Sequence, residues 1–220
     1  VKHKANLGLA YDGDADRLIA VDENGNIVDG DHIMVLSAIH LKNKGKLAQD
    51  TLVVTVMSNI GLTIAAKEHG INLATTAVGD RYVLEEMKNS GYNLGGEQSG
   101  HMIFLDYNTT GDGVLSSLVL AQIVLEEGKN LSELAAVMTQ YPQVLVNARI
   151  KNENKNRYME YPEIKSEIER IEKLLDGCGR VLIRPSGTEP LVRVMLEGKE
   201  EGQIKELATN LANLIQEKLS

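Results

Sequence analysis

The stretch TLVVTVMSNIGLTIAAKEHG, residues 51–70, decides the fold class that we predict for this chain of 220 residues. Its first six residues form a continuous run of β-branched and apolar side chains, which is typical of a strand buried on both faces of a parallel sheet. The pattern that follows predicts a helix over 60–69, which Gly70 ends. A buried strand followed directly by a helix is the repeating unit of doubly wound α/β domains.

The segments on either side of this stretch repeat the alternation of strand and helix. YNLGG at 92–96 predicts a short strand that runs into a glycine-rich loop, and LGLAY at 7–11 and LIAVD at 18–22 predict two strands around an acidic loop. The other predicted elements of this part are a strand at 72–78 and helices at 31–43, 80–89, 113–127 and 131–139. We therefore predict a three-layer α/β domain built around a mixed sheet.

A change of pattern near Pro142 predicts a second domain, and we place the boundary near residue 140. The polar stretch NENKNRYMEYP predicts a connection rather than a regular element. The predicted elements, in chain order, are a strand at 143–150, a helix at 163–175, strands at 180–184 and 191–198, and a helix at 201–218. This order predicts a two-layer α+β domain.

Composition restricts the partners and the location of the chain. A net charge of −8 argues against a nucleic-acid-binding protein, which normally carries a basic face, so an anionic substrate needs local arginines. Cys178 is the only cysteine, which excludes a disulfide within the chain and fits a reducing cytosol. The sequence contains no signal peptide and no apolar run of about 18 residues, so we expect no membrane span and a cytoplasmic location. Because the chain begins with Val1 and enters a strand almost at once, we expect a piece of a longer protein.

Three aspartates stand at alternate positions in DGDADR, residues 12–17. In an extended segment the side chains of Asp12, Asp14 and Asp16 point to one side, where they raise one another's pKa unless a cation neutralises them. Hard oxygen ligands of this kind suit Mg²⁺ or Ca²⁺. The alternative is a solvated acidic turn, in which the three carboxylates would repel one another without compensation.

An EF-hand calcium loop is a competing interpretation, because Glu23 falls at the twelfth position counted from Asp12. The sixth position of that motif is a glycine that permits a sharp turn, and here it is Arg17. The flanking segments also predict strands rather than helices, so we reject the EF-hand. Arg17 instead favours an anion such as a phosphoryl group beside the metal, since a guanidinium offers a forked pair of donors.

GGEQSGH, residues 95–101, places several hydrogen-bonding side chains next to small residues. Glu97, Gln98, Ser99 and His101 supply the density of donors and acceptors that a polyhydroxylated ligand such as a sugar requires. A polar turn between two strands would account for the same residues, and both interpretations stay open.

RPSGTEPLVR, residues 184–193, is typical of a phosphate-binding turn. Pro185 stiffens its entry, Gly187 permits a positive φ, and successive backbone amides can form an anion-binding nest. The candidate phosphate ligands are Arg184, Ser186, Gly187, Thr188 and Arg193. The alternative is a hairpin turn that happens to contain serine and threonine.

Two further segments favour a structural interpretation. VGDRYV at 78–83 and TGDG at 110–113 each precede a predicted helix, with Asp80 and Asp112 as the expected N-caps. Arg81 remains a candidate contact for an anionic ligand.

The loops DGDADR, GEQSGH and RPSGTEP, in this order, resemble those of the α-D-phosphohexomutase superfamily. Ala15 and Gln98 are most similar to its bacterial phosphoglucosamine mutase branch. The resemblance covers essentially the whole chain and implies the tail of a preceding α/β domain at 1–28, an α/β sugar-binding domain at 29–140 and an α+β phosphate-binding domain at 141–220. The last of these is of the TATA-box-binding-protein-like type.

The resemblance also implies an activity. Members of this branch interconvert glucosamine 6-phosphate and glucosamine 1-phosphate through a phosphoserine and a bisphosphorylated sugar, as precursors of the cell wall. The implied roles are Mg²⁺ binding by Asp12, Asp14 and Asp16, stabilisation of the transferring phosphoryl group by Arg17, sugar binding by Glu97, Gln98, Ser99 and His101, and phosphate binding by Arg184, Ser186, Gly187, Thr188 and Arg193.

The serine that the family phosphorylates lies in a TxSH-type loop, which these residues do not contain. We therefore expect the chain alone to be inactive and to need the missing N-terminal domains; a homodimer is a further expectation. Alternatives are a phosphomannomutase/phosphoglucomutase of the same superfamily and a non-catalytic module that binds metal or sugar phosphate. A phosphatase-like hydrolase with an aspartate nucleophile would leave Arg17 and the two later loops unexplained.

Overall fold

The computed structural model describes all residues, 1–220, and divides them into two compact units, Val1–Gln140 and Tyr141–Ser220. The first unit begins with an antiparallel ribbon of three strands, β1 (Leu7–Tyr11), β2 (Leu18–Asp22) and β3 (Ile27–Val28). Strand β1 is the mostly exposed edge of this ribbon.

A mixed sheet of four strands forms the centre of the first unit. Its order is β5 (Asn72–Thr76), β4 (Thr51–Thr55), β6 (Leu94–Gly96) and β7 (Met102–Phe104). Strand β4 pairs in parallel with both β5 and β6, whereas β7 runs antiparallel to β6. Every residue of β4 is buried, as its continuous apolar run predicts.

Five helices complete the first unit. They are α1 (Gly30–Asn43), α2 (Ile60–Glu68), α3 (Asp80–Ser90), α4 (Gly113–Glu127) and α5 (Leu131–Ala135). Alternate residues of β4 enter different cores: Leu52 and Val54 belong to the main cluster, and Val53 packs with Val83 and Met87 of α3. Because apolar clusters cover both faces of the sheet, the unit has three layers, as predicted.

The second unit packs two helices against one sheet. The antiparallel strands lie in the order β8 (Gln143–Arg149), β10 (Leu191–Glu197) and β9 (Arg180–Pro185), and the helices are α6 (Pro162–Leu175) and α7 (Glu201–Leu219). The shared core includes Ile164, Ile171, Val192, Val194, Leu196, Ile204, Leu211 and Ile215. The predicted two-layer α+β fold is therefore confirmed.

Several boundaries differ from the predictions. The pattern over 131–139 predicts one helix, but α5 ends at Ala135 and short i→i−3 hydrogen bonds continue the turn to Met138. Strands β3 and β7 were not predicted, because two or three residues carry too little periodicity. No helix of the chain combines the length and the apolar character that a membrane span requires.

Candidate functional site

The metal loop, residues 12–17, closes the hairpin of β1 and β2 directly after the Tyr11–Leu18 pair. Candidate ligand atoms of Asp12, Asp14 and Asp16 all lie within 4.8 Å of one another. The first two side chains are exposed and the third is partly buried. Ala15 adopts a positive φ of 60°, which turns the chain sharply between the second and third carboxylates. The structure thus brings the three predicted metal ligands together.

Arg17 lies beside two of these carboxylates. Its backbone N–H donates to Asp12 Oδ1 at 3.2 Å, and its Nε lies 3.8 Å from both Asp12 Oδ2 and Asp16 Oδ1. Desolvation works to raise the pKa of Asp12, but the backbone hydrogen bond and the nearby guanidinium outweigh it and hold this pKa below its usual value. About half of the Arg17 side chain is exposed, with 49% of its surface accessible, so it can also contact an anion.

His101 supports the metal loop from the protein interior, where it is only 4% exposed. The N–H of Gly111 donates to its Nε2 at 3.2 Å, so Nδ1 carries the ring proton and donates it to Asp16 Oδ2 at 2.9 Å. The other oxygen, Asp16 Oδ1, is buried and has no hydrogen-bond partner. Because both ring nitrogens are used inside the protein, none is left for the predicted contact of His101 with a sugar.

Three glycines allow other segments to approach this loop closely. Gly113 N–H donates to Ala15 O at 2.9 Å, and a Cβ on Gly113 would lie 2.5 Å from the carbonyl oxygen of Arg17. A Cβ on Gly111 would overlap the ring of His101, and one on Gly100 would overlap the carbonyl oxygen of Leu18. Side chains at these positions would push the loop away, so the TGDG segment has a positioning role that sequence analysis missed.

In the sugar loop, residues 95–101, only some of the predicted sugar-binding side chains are free to contact a ligand. Ser99 is exposed and Glu97 is partly buried, with Glu97 Oε1 accepting a hydrogen bond from the N–H of Gly79 at 3.0 Å. Gln98 Nε2 donates to Asp29 Oδ2 at 3.2 Å, which uses one of its amide donors. Glu97 and Ser99 are therefore the residues that remain most available to a ligand.

The N-terminus of α1 forms a platform beneath the sugar loop. Gly30 N–H donates to Gln98 O at 3.1 Å, and a Cβ on Gly30 would overlap the carbonyl oxygen of Glu97. Asp29 caps the helix through the N–H of His32 and also accepts from His32 Nδ1 at 2.7 Å. Burial works to raise the pKa of Asp29, but these hydrogen bonds and the nearby imidazole hold it below its usual value.

Asp31 lies on the same helix, but its pKa is shifted in the opposite direction. Burial raises its pKa to about 7, although its Oδ2 accepts from the N–H of Asn59 at 2.7 Å. Its Oδ1 is buried without a hydrogen-bond partner. Two carboxylates separated by one residue thus have pKa values shifted in opposite directions, and Asp31 keeps its proton to a higher pH than Asp29 does.

Glu23, the residue that fits the twelfth position of an EF-hand, forms hydrogen bonds to Ser132. Its carboxylate accepts from the backbone N–H of Ser132 at 3.3 Å and from the hydroxyl of the same serine. The acidic cluster that could hold a metal ion consists of the three aspartates without Glu23. These contacts agree with the rejection of a calcium loop.

The phosphate loop, residues 186–190, joins β9 and β10 in the second unit. The N–H of Ser186 donates to Leu191 O at 2.9 Å, and its Oγ accepts from the N–H of Glu189 at 3.2 Å. Ser186 is only 3% exposed, so it closes the loop instead of lending its amide to the predicted nest. The N–H groups of Gly187 and Thr188 donate to no acceptor in the protein.

Gly187 in this loop and two arginines on the flanking strands correct or extend the prediction. Gly187 does not adopt a positive φ, and a Cβ on it would meet nothing within 4 Å, so the glycine leaves open space instead of permitting a special turn. Arg184 and Arg193 are direct cross-strand partners. Like charges in this arrangement repel, and a bound anion would relieve the repulsion.

The comparisons with known proteins agree with this geometry. Residues 29–141 match the family model described as phosphoglucomutase/phosphomannomutase, alpha/beta/alpha domain III, and residues 145–214 match that of the C-terminal domain. The chain belongs to the phosphoglucomutase/phosphomannomutase family. The superfamily resemblance and the fold class predicted from the sequence are both confirmed.

The curated relatives of this chain include two bacterial proteins named phosphoglucosamine mutase. That of Clostridioides difficile (strain 630) is 84% identical over 220 residues, and that of Caldanaerobacter subterraneus subsp. tengcongensis is 65% identical over the same length. Each match covers the whole of this chain and 49% of the relative, so the chain spans about half the length of these proteins.

Solved structures show the same fold at low sequence identity. The N-acetylphosphoglucosamine mutase of Aspergillus fumigatus, crystallised with GlcNAc-6P and magnesium, has a TM-score of 0.77 and 22% identity over 96% of this chain and 49% of its own. A phosphoglucomutase/phosphomannomutase family protein from Burkholderia thailandensis has a TM-score of 0.75 and 20% identity over 98% of this chain and 48% of its own.

The two segments interpreted as helix starts have different outcomes in this family member. Asp112 caps α4 by accepting from the N–H of Leu115 at 2.9 Å, as predicted. The prediction for Asp80 was wrong, because Gly79, with φ of 131°, is the N-cap of α3 and Asp80 is already helical. Arg81 is exposed and pairs with Glu85 at 2.8 Å within the same helix.

Proposed function

We propose that this chain is the C-terminal half of a phosphoglucosamine mutase, which interconverts glucosamine 6-phosphate and glucosamine 1-phosphate. The observation that carries the proposal is the 84% identity to a protein of that name along all 220 residues. We infer from this identity that the three loops keep the chemistry of that relative. The domain limits of 1–28, 29–140 and 141–220 and a cytoplasmic location belong to the same proposal.

The donor set of the metal loop fits Mg²⁺. Its three carboxylates converge, and the buried Asp16 Oδ1, which has no hydrogen-bond partner, is available to a cation while His101 holds Oδ2. We assign Asp12, Asp14 and Asp16 as the ligands. When bound, the ion would neutralise negative charge on the transferring phosphoryl group.

Arg17 and the sugar loop would act next to that metal. Arg17 would donate to the oxygens of the transferring phosphoryl group, because its guanidinium is half exposed beside the carboxylates. Glu97 and Ser99 would bind sugar hydroxyls, with Gln98 holding the loop on Asp29. His101 would position Asp16 rather than contact the sugar.

The phosphate loop would bind the phosphate that does not react. Arg184 and Arg193 would supply charge, and the N–H groups of Gly187 and Thr188 would supply directed donors. Ser186 would hold the loop closed. The phosphoserine that exchanges its phosphoryl group with a bisphosphorylated sugar would lie outside these 220 residues.

The test is a ³¹P NMR assay of the full-length protein that contains this chain, with glucosamine 6-phosphate as the substrate. We expect interconversion that requires Mg²⁺ and that Asp14→Asn reduces at least about 100-fold, while Asp50→Asn, at an exposed carboxylate outside the loops, leaves it unchanged. The isolated 220-residue chain should give no turnover.

The same assay decides between the alternatives. Faster turnover of glucose 6-phosphate or mannose 6-phosphate would assign the protein to the phosphoglucomutase/phosphomannomutase specificity instead. Binding without turnover of any hexose phosphate by the full-length protein would favour a non-catalytic module. Undiminished activity of the Asp14→Asn variant would contradict the metal assignment.

A further inference from the structure

Lys155 lies in the polar connection between β8 and α6, far from the phosphate loop in the sequence, yet its ammonium reaches that loop. Its Nζ donates a hydrogen bond to the carbonyl oxygen of Ser186 at 3.0 Å, and the side chain is partly buried. We propose that Lys155 is a positioning residue of the phosphate loop, an inference that rests on the phosphate-binding role proposed above.

The connection that carries Lys155 is fixed to the second unit on both sides of the lysine. Before it, Asn154 Nδ2 donates to Leu219 O at 3.0 Å at the end of α7. After it, the hydroxyl of Tyr158 donates to Ile183 O at 3.3 Å on β9, and the Tyr158 ring packs against the hydrophobic core. The ammonium is therefore presented to Ser186 by an anchored segment.

The contact of Lys155 with the Ser186 carbonyl also orients the N–H of Gly187, because both groups belong to one peptide. The carbonyl of Ser186 and the N–H of Gly187 belong to one planar trans peptide, so they point in opposite directions. By holding the carbonyl oxygen, Lys155 directs the Gly187 N–H away from itself. That N–H has no acceptor in the protein, and nothing lies within 4 Å of the position that a Cβ on Gly187 would occupy.

The charge of Lys155 adds to this effect. An ammonium on the carbonyl oxygen polarises the peptide and makes its N–H a stronger donor. It also places a third cation near a loop that already pairs Arg184 with Arg193. Three cationic residues on or beside a loop with two free amides suit a phosphate monoester dianion such as the one on a sugar phosphate.

The test uses the ¹⁵N-labelled 220-residue chain, titrated with inorganic phosphate at constant ionic strength. We compare wild type with Lys155→Met, which keeps the aliphatic stem, Lys155→Arg, which keeps a cationic donor, and Lys151→Met, which removes an exposed lysine of the same connection. Circular dichroism and thermal unfolding confirm that each variant is folded.

We expect phosphate to shift the Gly187 and Thr188 amide resonances of the wild type. Lys155→Met should weaken phosphate binding about 3–10-fold and move the free-state Gly187 amide proton upfield, because the peptide loses its polarising partner. Lys155→Arg should recover more than half of the lost affinity, and Lys151→Met should stay within about twofold of wild type. In the full-length enzyme the Lys155→Met variant should raise KM more than it lowers kcat.

Two outcomes would overturn the inference for different reasons. If Lys155→Met binds phosphate as wild type does and its Gly187 resonance is unmoved, Lys155 has no positioning role while the proposed phosphate site stands. If neither inorganic phosphate nor glucosamine 6-phosphate shifts any resonance of residues 186–189 in the wild type, the phosphate site itself fails and the role of Lys155 fails with it.

Discussion

The metal loop and the phosphate loop each connect two antiparallel strands, and like charges cluster at both. The metal loop contains three carboxylates, whereas Arg184 and Arg193 lie on the strands that flank the phosphate loop. The two loops also differ in how the protein holds them. His101 and Gly113 contact the metal loop from the interior of the first unit, His101 through Asp16 and Gly113 through Ala15. Gly100 packs against Leu18, the residue that follows the loop. The phosphate loop is closed by its own Ser186 and tethered by Lys155, and its central glycine faces open space. Damage to the supports of the metal loop should therefore cost folding stability, whereas damage to the phosphate loop should cost binding.

The largest expected effect is at Gly100, which combines a φ of 92° with backbone contact to Leu18. Gly100→Ala should lower the free energy of unfolding by roughly 3–5 kcal/mol, because the new Cβ overlaps a carbonyl oxygen in a conformation that L residues avoid. Chemical denaturation of both proteins measures the change. Gly13→Ala, within the metal loop but with nothing within 4 Å of its Cβ, is the control and should cost less than about 1 kcal/mol. Equal losses would show that the loop is not held from the interior.

Asp31 is a buried acid, and its burial makes the folding stability depend on pH. Its pKa is raised to about 7, so between about pH 4 and pH 7 the folded chain keeps a proton that the unfolded chain has released. The free energy of unfolding must then fall as the pH rises through this window. The groups that face Asp31 are Asp29, His32, Ser58 and Asn59.

Asp31→Asn removes the loss of folding stability that occurs as the pH rises. We expect the variant to be roughly 2–4 kcal/mol more stable than wild type at pH 8 and equally stable within about 1 kcal/mol at pH 4. Urea denaturation across that pH range measures the difference. Parallel stability curves for the two proteins would contradict a buried, protonated Asp31.

Arg193 tests whether the phosphate loop serves binding rather than folding. Arg193→Met removes the repulsion with Arg184 but also a 3.7 Å contact with Glu189, so the phosphate-free stability should change by less than about 0.5 kcal/mol. Phosphate affinity should fall about 10–100-fold, since a charge-assisted donor is lost. Calorimetric titration measures the affinity, and Arg157→Met, at an exposed arginine of the same unit, should bind phosphate as wild type does. A large loss of stability with unchanged phosphate binding would show that Arg193 serves folding rather than binding.

The smallest expected effect is at Gly187. Gly187→Ala should leave the stability within about 0.5 kcal/mol of wild type, because the Cβ enters open space at an ordinary φ. The methyl group would stand beside the free amide and should weaken phosphate binding about 3–5-fold. The same calorimetric titration measures this change. Unaltered affinity would mean that phosphate does not approach this face of the loop.

Much of the fold could be predicted because its signals are local. The apolar run at 51–56 and the glycine that follows α2 are signals within short stretches of sequence, so periodicity and caps reveal them. Charge clustering likewise predicted that the carboxylates of Asp12, Asp14 and Asp16 lie together, since these residues are close in the sequence. Short pieces such as β7 were missed because they exist only through pairing with a neighbour.

The support of the site could not be predicted because it depends on contacts between distant residues. His101 meets Asp16 across 85 positions, and Lys155 meets Ser186 across 31. Nothing in GEQSGH distinguishes a histidine that binds sugar from one that forms a hydrogen bond to an aspartate of another loop. The amide of Ser186 was assigned to a nest because the sequence does not show that the strand ladder continues to Leu191.

The central claim, that residues 12–17 form a divalent-cation site, is tested most directly by titrating the ¹⁵N-labelled chain with Mn²⁺ as a paramagnetic substitute for Mg²⁺. We predict selective broadening of the amide resonances of 12–17 and of His101, reversal by excess Mg²⁺, and loss of the effect in Asp14→Asn. Broadening spread evenly over the acidic surface, or unchanged in Asp14→Asn, would contradict the account.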